Sequence, residues 1–469
     1  MNLILPKYLA CEMRFAELMA EMETNGIYLN KEKCLELIKK LEDEIAQIDK
    51  ELVPAMPFKR EKATILTNIY KKNGELNYHA SNHIATGQPY SIEGNTMLRW
   101  KISPPNPGSD LQLRTFLLSL GWKPRDALDA WNYAKKKDRY GKMIIQKDEK
   151  GKWLRTTPKL PKEDWELDQL AKKSPVFKLI AERSKRKHRL GVMKGYIEKC
   201  RDDHRIPMIV NSCGTPTMRV THKGACNVPK VGKFMGKELR SVFCAPEGRV
   251  LVGCDMSGQE ACILAHLLGD AGFIKMIKDS GYKYHKYFYE LSKEYISDIN
   301  QQKSANFAFL YGCQDRKLGT LCDLKKDSNK EKIGAAYRKL LMKEVPGLEE
   351  ATAKLLQQHR KYGAIKGLDG RWIKCRKESA LINTYCQSGG AICSKIWTCK
   401  YRSAILSEAL DSKHIIFMHD ENAEETTPEL GNRIGEIMLE GIHWTAKYLN
   451  LKIDLTGSYK VGKDWADVH

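Results

Sequence analysis

The sequence predicts a fold with both α-helices and β-strands, and three observations point to it. Residues 248–260 and 414–421 each begin with an apolar run, typical of a buried strand, that breaks off at an acidic residue. Ahead of these runs and between them, apolar residues recur every three or four positions, as on one face of a helix. The chain has 469 residues, 42% of them hydrophobic, which is enough for the cores of two or three domains.

The first elements along the chain are two predicted helices in residues 8–50, separated at Asn25-Gly26. Asn30 is a suitable N-cap for the second helix, since its side chain can accept a hydrogen bond from a free backbone N–H. The apolar stripe of the second helix consists of Leu37, Ile38, Leu41, Ile45 and Ile48. This stripe predicts that one face of the helix is buried.

Residues 54–108 differ in character, because prolines and glycines interrupt every apolar pattern there. We predict that they form a loop-rich insertion. A helical pattern resumes at residues 110–122, and residues 166–200 predict a pair of long basic helices. Within this helix pair lies a basic run, residues 183–189, in which five of the seven residues are lysine or arginine. Such a run is most often a solvated helix face.

The acids at the ends of the two apolar runs are Asp255 and the pair Asp420-Glu421. Phosphoryl transfer requires two divalent cations about 3.5–4 Å apart, which activate the attacking oxygen and neutralise the leaving one. Magnesium-type cations prefer carboxylate oxygens, so two acids that converge from separate strands suit such a site. An acid at a strand end is more often a turn residue, and each acid alone is weak evidence.

A third element, residues 298–312, lies between the acids and predicts a helix that Asp298 caps. Lys303, Phe307 and Tyr311 recur every fourth residue and therefore share one face of this helix. An ammonium group one turn from an exposed aromatic ring provides a cation for a triphosphate and a platform for a base. The alternative is an ordinary amphipathic helix whose two rings lie in the core.

Together these three elements resemble the family A DNA polymerases, which include bacterial polymerase I and the replicative polymerases of short-tailed lytic phages. Asp255-x-Ser257-Gly258-x-Glu260 is similar to motif A of that family, in the form typical of its phage branch. The helix that ends at Tyr311-Gly312 is similar to motif B, and His419-Asp420-Glu421 is similar to motif C. Further stretches that fit the family are residues 214–219 with 227–229, 366–371 and 383–389. The resemblance extends from about residue 10 to residue 469 and is strongest after residue 205.

The resemblance implies an α+β fold of the right-hand type, in which a palm with an antiparallel sheet carries helical fingers and a helical thumb. Transferred to this chain, the thumb is residues 1–208, including the insertion, and the fingers are residues 265–387. The palm is residues 209–264 and 388–469. The exonuclease domain of the family would precede residue 1, so we expect no proofreading here and a separately encoded exonuclease as a partner.

An acidic pair, Asp164-x-Glu166, is the nearest approach to an exonuclease motif in the chain. No apolar strand holds it, and we interpret it as the first turn of a thumb helix, where the helix dipole favours acids.

The resemblance also implies roles for the acids and for the helix face. Asp255 and Asp420 would hold two Mg²⁺ ions, with Glu421 as an auxiliary acid. Lys303 would bind the incoming deoxynucleoside triphosphate in the catalytic step, and His285 would be a second hydrogen-bond donor to its phosphates.

Further residues complete this implied site. Phe307 would pack on the incoming sugar, and Tyr311 would stack near the templating base. Glu260 would fill the space of a ribose 2′-hydroxyl and so reject ribonucleotides. The residues expected to contact primer–template DNA are Arg219, Asn227, Asn383, Gln387 and His419. The amides and Arg219 would do so in the minor groove, whose acceptors every base pair shares.

The chain departs from the family pattern in two places. After Glu260, Ala261-Cys262 stands where the family has Leu-Arg. Ile299 stands where the family places an arginine that grips the triphosphate. Either Lys286, Lys293 or Gln302 substitutes for it, or nucleotide binding is weakened.

The charge of the chain agrees with a nucleic-acid partner. A net charge of +21 with a pI near 9.2 favours a polyanion, because neutralised phosphates release counterions. Beside a polymerase core, we expect the basic run 183–189 to follow duplex phosphates. No apolar stretch reaches the length of a membrane span, and the first residues lack a signal peptide. Fourteen cysteines without a Cys-x-x-Cys pair predict reduced thiols, so we expect a soluble protein of the bacterial or phage-infected host cytoplasm, with no membrane partner.

Two other functions remain open from the sequence. A single-subunit RNA polymerase shares the right-hand plan, but it lacks acids at the positions of Glu260 and Glu421. A degenerate relative that only coats DNA is supported by Ile299 alone. The insertion at 54–108 lies where phage relatives recruit a processivity factor, and it contacts either such a partner or DNA.

Overall fold

The computed structural model describes residues 6–60, 64–125, 130–138, 143–149, 151–161, 164–225, 228–325 and 329–469. The chain divides into two compact units. The first combines Met1–Cys34 with Gly195–His469, and the second is Leu35–Lys194. In the part of the chain that the structure describes, no helix is long and apolar enough to cross a membrane.

The first elements are α1 (Lys7–Asn25), β1 (Ile27–Tyr28) and α2 (Lys31–Leu52). The predicted break between the helices is confirmed, because Gly26 adopts φ 61°, a conformation that glycine tolerates without strain. The predicted cap is also confirmed, since the backbone N–H of Lys33 donates to Oδ1 of Asn30 at 2.9 Å.

The insertion contains β2 (Lys59–Arg60), β3 (Thr64–Thr67), α3 (Tyr78–Ala85), β4 (Tyr90–Glu93), β5 (Thr96–Arg99) and β6 (Ile102–Ser103). Strands β3, β5 and β4 form an antiparallel sheet in that order, and β2 pairs with β6. Ile69, Ala80 and Met97 are fully buried beneath it. The insertion therefore contains a small sheet with its own core, which the loop-rich prediction did not include. Its glycines lie in tight turns between short strands, as Gly94-Asn95 does between β4 and β5.

The same unit continues with α4 (Asp110–Ser119), β7 (Trp131–Tyr133), β8 (Lys135–Lys137), β9 (Met143–Ile145), β10 (Arg155–Pro158), α5 (Asp164–Ala171) and α6 (Pro175–Lys199). The helix predicted at 110–122 and the helix pair predicted at 166–200 are confirmed as α4, α5 and α6. Their apolar faces form one core with residues such as Phe116, Leu170 and Phe177. Strands β8 and β9 form a separate two-stranded ribbon.

The basic run on α6 does not have the role expected of it. Arg183 pairs with Asp49, Arg186 pairs with Glu44, and Lys185 pairs with Asp168. Arg183 is only 6% exposed. The expectation that this run follows duplex phosphates is therefore wrong for these three cations. Their charges are already neutralised by acids of α2, which is remote in sequence, and of α5, the preceding helix.

The other unit continues with β11 (Arg205–Ile206), β12 (Met208–Asn211), β13 (Thr221–Gly224), α7 (Gly236–Ser241), β14 (Val250–Met256), α8 (Gln259–Leu268), α9 (Ala271–Asp279), α10 (Tyr284–Leu291), α11 (Ile299–Leu310), α12 (Asp315–Leu321), α13 (Lys330–Lys343) and α14 (Leu348–Tyr362). It ends with β15 (Ala364–Lys366), β16 (Trp372–Lys374), α15 (Leu381–Ser407), β17 (Ser412–Met418), β18 (Glu421–Thr426), α16 (Gly431–Tyr448) and β19 (Gly457–Gly462). Both apolar runs that end at acids are strands, as predicted.

A four-stranded antiparallel sheet, in the order β17-β18-β14-β19, forms the centre of this unit. Helix α16 packs on β14 and β19, helix α15 packs on α16 and α8, and α1 packs on α15 and β17. The central strand β14 is apolar because it is covered, and Leu251, Val252 and Cys254 are at most 1% exposed. The boundaries of the thumb, palm and fingers stay predictions. Helix α1 belongs to the predicted thumb but packs on β17, a strand of the predicted palm.

Candidate active site

The acids predicted from the two apolar runs meet at one end of the central sheet. Asp255, on β14, lies directly opposite Glu421, the first residue of β18. Asp420 lies in the tight turn between β17 and β18, and its carbonyl oxygen accepts a hydrogen bond from the backbone N–H of Met256 at 3.0 Å. Antiparallel pairing thus brings together residues that are more than 160 positions apart in sequence.

Burial and the charges of neighbouring acids raise the pKa of both aspartates. The surrounding protein removes part of the hydration of Asp255, and the charges of Asp420 and Glu421 add to this effect. Together they raise the pKa of Asp255 to about 7, while its side chain stays accessible. Burial also raises the pKa of Asp420, and the nearby cation of Arg219 lowers it in part. Negative charge concentrated in this way favours the binding of cations.

Glu421 has a different environment from the two aspartates. It is 4% exposed, and both of its carboxylate oxygens have partners. The indole N–H of Trp465 donates to Oε1 at 2.6 Å, and Nδ1 of His469 lies 2.9 Å from Oε2. These partners hold Glu421 in place and leave Asp255 and Asp420 as the accessible acids. Neither contact could be foreseen, because Trp465 and His469 lie in another segment and follow no periodic pattern.

The pair of aspartates fits the chemistry of magnesium. Mg²⁺ is usually held by one or two carboxylates together with substrate phosphates, and not by a complete protein cage. Among the residues that the structure describes, no group of three or more His, Cys, Asp and Glu side chains is arranged to hold a metal ion. Asp255 and Asp420 therefore provide the type and number of oxygen donors that this kind of site requires.

Glu260 connects two predicted site residues. Its Oε1 accepts a hydrogen bond from the guanidinium group of Arg219 at 2.7 Å, and its Oε2 accepts one from the Tyr311 hydroxyl at 2.6 Å. Burial and the negative charge of Glu260 raise the pKa of Tyr311 well above its ordinary value, so the hydroxyl stays protonated. The carboxylate is thus fixed from both sides, one by the segment before β14 and one by the end of α11.

Helix α11 presents the face that its spacing predicted. Lys303 is exposed, whereas Phe307 and Tyr311 are half-buried, with ring centroids 5.6 Å apart. The core face of the helix carries other residues, namely Gln302, Ala305, Asn306 and Phe309. The alternative that both rings belong to the core is therefore wrong. His285, on α10, joins the accessible face, with its ring 5.3 Å from that of Phe307.

The residues expected to contact DNA lie around these groups. The side chain of Gln387 lies near the Tyr311 hydroxyl and lowers its pKa in part, and Asn383 lies one turn earlier on α15, with its Oδ1 buried and without a partner in the described chain. His419 has φ 62°, and the ring of His222 packs edge-on against it at 5.1 Å. Asn227 lies outside the described residues, so the structure gives no position for it.

His222 was not identified from the sequence. It pairs with the carbonyl oxygen of Phe417 at 2.9 Å and so supports the strand that leads to His419. Burial, His222 and Arg219 together lower the pKa of His419 to about 4, so this imidazole is neutral at pH 7.

The departure at Ile299 has a partial answer in the structure. Ile299 is 37% exposed on the first turn of α11. Gln302 is fully buried, so it is wrong as a substitute that reaches a phosphate. Lys293 already pairs with Glu290. Lys286 is exposed and has no ion-pair partner among the residues described, so it stays a candidate substitute, and weakened nucleotide binding stays the alternative.

Comparisons with known proteins agree with this geometry. The model of DNA polymerase family A matches residues 140–467. A DNA-directed DNA polymerase of Enterobacteria phage T3 is 27% identical over 317 residues, which cover 59% of this chain and 43% of the relative. A DNA-directed DNA polymerase of Escherichia phage Phieco32 is 21% identical, with 98% of each chain covered. The chain thus spans less than half the length of the T3 relative.

A solved structure has the same fold. The POL domain of Pol1 from M. smegmatis, in complex with DNA primer-template and dNTP, superposes with a TM-score of 0.67 at 18% identity. The match covers 97% of this chain and 70% of the other. The predicted α+β class and right-hand fold are confirmed.

Proposed function

This chain belongs to DNA polymerase family A, and we propose that it extends the 3′ end of a primer along a DNA template by adding deoxynucleotides. The observation that carries the proposal is the meeting of Asp255 and Asp420 at one end of the central sheet, where Glu260 lies near Asp420 and accepts from Tyr311 at the end of α11. Relatives from phages T3 and Phieco32 bear the name of this activity, which supports a role in phage DNA replication.

Asp255 and Asp420 would hold two Mg²⁺ ions. When bound, the ions activate the attacking oxygen and neutralise charge on the leaving group. The raised pKa values of the two aspartates support this assignment, because half-desolvated carboxylates that repel neighbouring acids are stabilised in their charged form by a bound cation. Glu421, tied to Trp465 and His469, positions the start of β18 and adds negative charge behind the pair.

The face of α11 would bind the incoming nucleotide. Lys303 supplies an exposed ammonium group to the triphosphate, and His285 supplies a second donor. Phe307 packs on the sugar, and Tyr311 stacks near the templating base. Glu260 is fixed by two hydrogen bonds and would fill the space that a ribose 2′-hydroxyl needs. A ribonucleotide would then clash with it and leave its hydroxyl buried without a hydrogen bond.

The primer–template would lie against residues around this site. Arg219, Asn383, Gln387 and His419 offer donors for the minor-groove acceptors that all base pairs share, and the sequence places Asn227 with them. The buried Oδ1 of Asn383 has no partner among the described residues, and because this oxygen only accepts, a minor-groove donor such as the guanine amino group, or a water, would satisfy it.

The insertion is a second proposed binding surface. Phe58, Ile65 and Tyr78 are 67%, 66% and 74% exposed, which suits a processivity factor better than DNA alone. Deleting residues 64–99 should shorten the products made in one binding event more than it slows single additions, and equal product lengths would argue against such a partner.

We also propose that proofreading comes from a separate exonuclease. Glu166 of the acidic pair lies on α5 and pairs with Arg125, so this pair lacks the strand setting of a nuclease site. Incubation with Mg²⁺ and a mismatched primer, without nucleotides, should leave the 3′ end intact, and its steady shortening would contradict the assignment.

The phage relatives suggest that the protein works in the cytoplasm of a bacterial host.

One experiment tests the main proposal against the two alternatives. The purified chain is incubated with primer–template, Mg²⁺ and either deoxy- or ribonucleotides. We expect extension with deoxynucleotides only. Extension with ribonucleotides alone would support an RNA polymerase, and binding without any extension would support a protein that coats DNA.

A further inference from the structure

A chain of buried polar groups lies behind the accessible face of α11. Gln302 is fully buried, and its carboxamide is surrounded by polar side chains of α11, α13 and the end of α10. Its Nε2 donates to Oδ1 of Asn306 at 2.5 Å and to the hydroxyl of Tyr337 at 2.8 Å. Its Oε1 accepts a hydrogen bond from Ser292 at 2.5 Å. Buried polar groups of this kind cost free energy unless every member is satisfied, and they fix one geometry where an apolar core would not.

Asn306 carries this geometry to His285. Asn306 is 2% exposed, and its Nδ2 lies 3.0 Å from Nδ1 of His285. Because Oδ1 of Asn306 accepts from Gln302, the group that faces His285 is the amide NH₂, which can only donate. Nδ1 of His285 must then be the acceptor. A neutral imidazole that accepts at Nδ1 carries its hydrogen at Nε2.

His285 is neutral in this setting. Burial and the positive charge of Lys303 lower its pKa to about 4. Its ring packs against Tyr284 and Phe307, with centroids 3.9 and 5.3 Å away. Nε2 has no hydrogen-bond partner among the described residues. The result is an unused N–H donor on the face that also carries an exposed ammonium group, a combination that suits an anion.

We propose, on the basis of the nucleotide binding proposed above, that Gln302 and Asn306 are positioning residues that hold His285 in its Nε2–H form to donate to the incoming triphosphate. Neither residue touches the nucleotide. Gln302 orients the amide of Asn306, and that amide decides which ring nitrogen carries the hydrogen. The reverse orientation of both amides would put the hydrogen on Nδ1 and turn Nε2 into an acceptor, which repels phosphate oxygens.

The first test observes the hydrogen directly and needs no nucleotide. In ¹⁵N-histidine-labelled protein at pH 7, the His285 signals are assigned by their loss in His285→Gln. We expect Nε2 to be protonated and Nδ1 to be bare. In Asn306→Asp, Nδ1 should gain a hydrogen, because a carboxylate only accepts. A wild-type imidazole protonated at Nδ1, or an unchanged spectrum in Asn306→Asp, would overturn the proposal.

The second test measures single-nucleotide addition. Asn306→Leu, which has a similar shape but no donor, should raise KM for the nucleotide about tenfold, as expected for the loss of one hydrogen bond to a charged group. Affinity for primer–template should not change. In a His285→Gln background, Asn306→Leu should add no further increase in KM. Additive increases would show that Asn306 acts on folding and not through His285, and melting curves identify any variant that does not fold.

The two tests separate this proposal from the proposed function. If wild type extends primers and Nε2 is protonated, but KM does not respond to Asn306→Leu, the positioning role fails and the polymerase activity stands. If wild type does not extend primers at all, the proposed function fails, and the spectrum still decides which nitrogen carries the hydrogen.

Discussion

At the scale of single residues, Glu260 connects two parts of the candidate site through its hydrogen bonds. One oxygen accepts from Arg219, which the proposal places beside the primer–template, and the other accepts from Tyr311, which it places beside the new base pair. Because both oxygens are occupied, the carboxylate cannot turn away from a bulkier sugar. On the proposed function, the choice between deoxy- and ribonucleotides would depend on this one fixed side chain.

The first prediction concerns this choice. Glu260→Ala should raise the kcat/KM for ribonucleotides relative to deoxynucleotides at least about tenfold, because the space for a 2′-hydroxyl opens. Tyr311→Phe, which removes only one of the two hydrogen bonds, should have a smaller effect in the same direction. The ratio is measured by single-nucleotide addition. An unchanged ratio in Glu260→Ala would place the discrimination elsewhere in the molecule.

The second prediction follows from the raised pKa of Asp255. A carboxyl group whose pKa is about 7 in the folded state and 3.8 in the unfolded chain binds more protons when folded. Without divalent cations, the free energy of unfolding should therefore decrease from about pH 4 to about pH 7.

The variant Asp255→Asn isolates this contribution. Its unfolding free energy should exceed that of wild type at pH 8 by about 1 kcal/mol, after allowance for solvent screening of an accessible carboxylate. Urea titrations at pH 4, 6 and 8 measure the difference. A difference that does not grow with pH would contradict the assigned repulsion between Asp255 and its acidic neighbours.

At the scale of elements, the sequence predicted what depends on local order and missed what depends on distant pairing. Strands β14 and β17 and helix α11 were predicted because apolar runs and a spacing of four residues are local signals. The small sheet of the insertion was missed because its strands have only four residues each, too few for a clear alternation.

The acidic partners of α6 and the contacts of Glu421 were missed for a related reason. Most of these contacts join segments that are remote in sequence, and no periodic pattern links the partners. The charge pattern therefore led to a wrong role for the basic run, since a sequence does not show which carboxylates pair with which cations. The strand β8 offers a contrast, because Lys135, Lys136 and Lys137 are exposed and have no ion-pair partners in the described part of the chain.

The third prediction compares the unpaired lysines of β8 with lysines of α6 that pair with acids. Replacing all three lysines of β8 by glutamine should reduce the slope of log affinity against log salt for duplex DNA by up to about 0.9 for each phosphate that the variant no longer neutralises. A charge-matched control replaces Lys185, Lys187 and Lys194, which pair with Asp168, Asp110 and Glu42. The control should change the slope less. Equal slopes in both variants would show that β8 does not bind DNA.

At the scale of the whole molecule, a net charge of +21 is combined with a site built from acids. The two are compatible because the acids lie at one end of a sheet in one compact unit, while the cations are spread over both units. A polyanionic substrate would gain affinity from the spread charge, and the acids would hold the cations that its reacting phosphate needs. On the proposed function, binding and chemistry would depend on different residues and can be measured separately.

The most direct test of the proposed function uses Asp420→Asn. Loss of metal-based stabilisation worth several kcal/mol should slow single-turnover primer extension about a thousandfold or more. Affinity for primer–template should stay close to that of wild type, and Asp279→Asn, an exposed acid paired with Lys275, is the matched control. Extension by Asp420→Asn within a few-fold of the control would contradict the proposal that Asp255 and Asp420 form the catalytic centre.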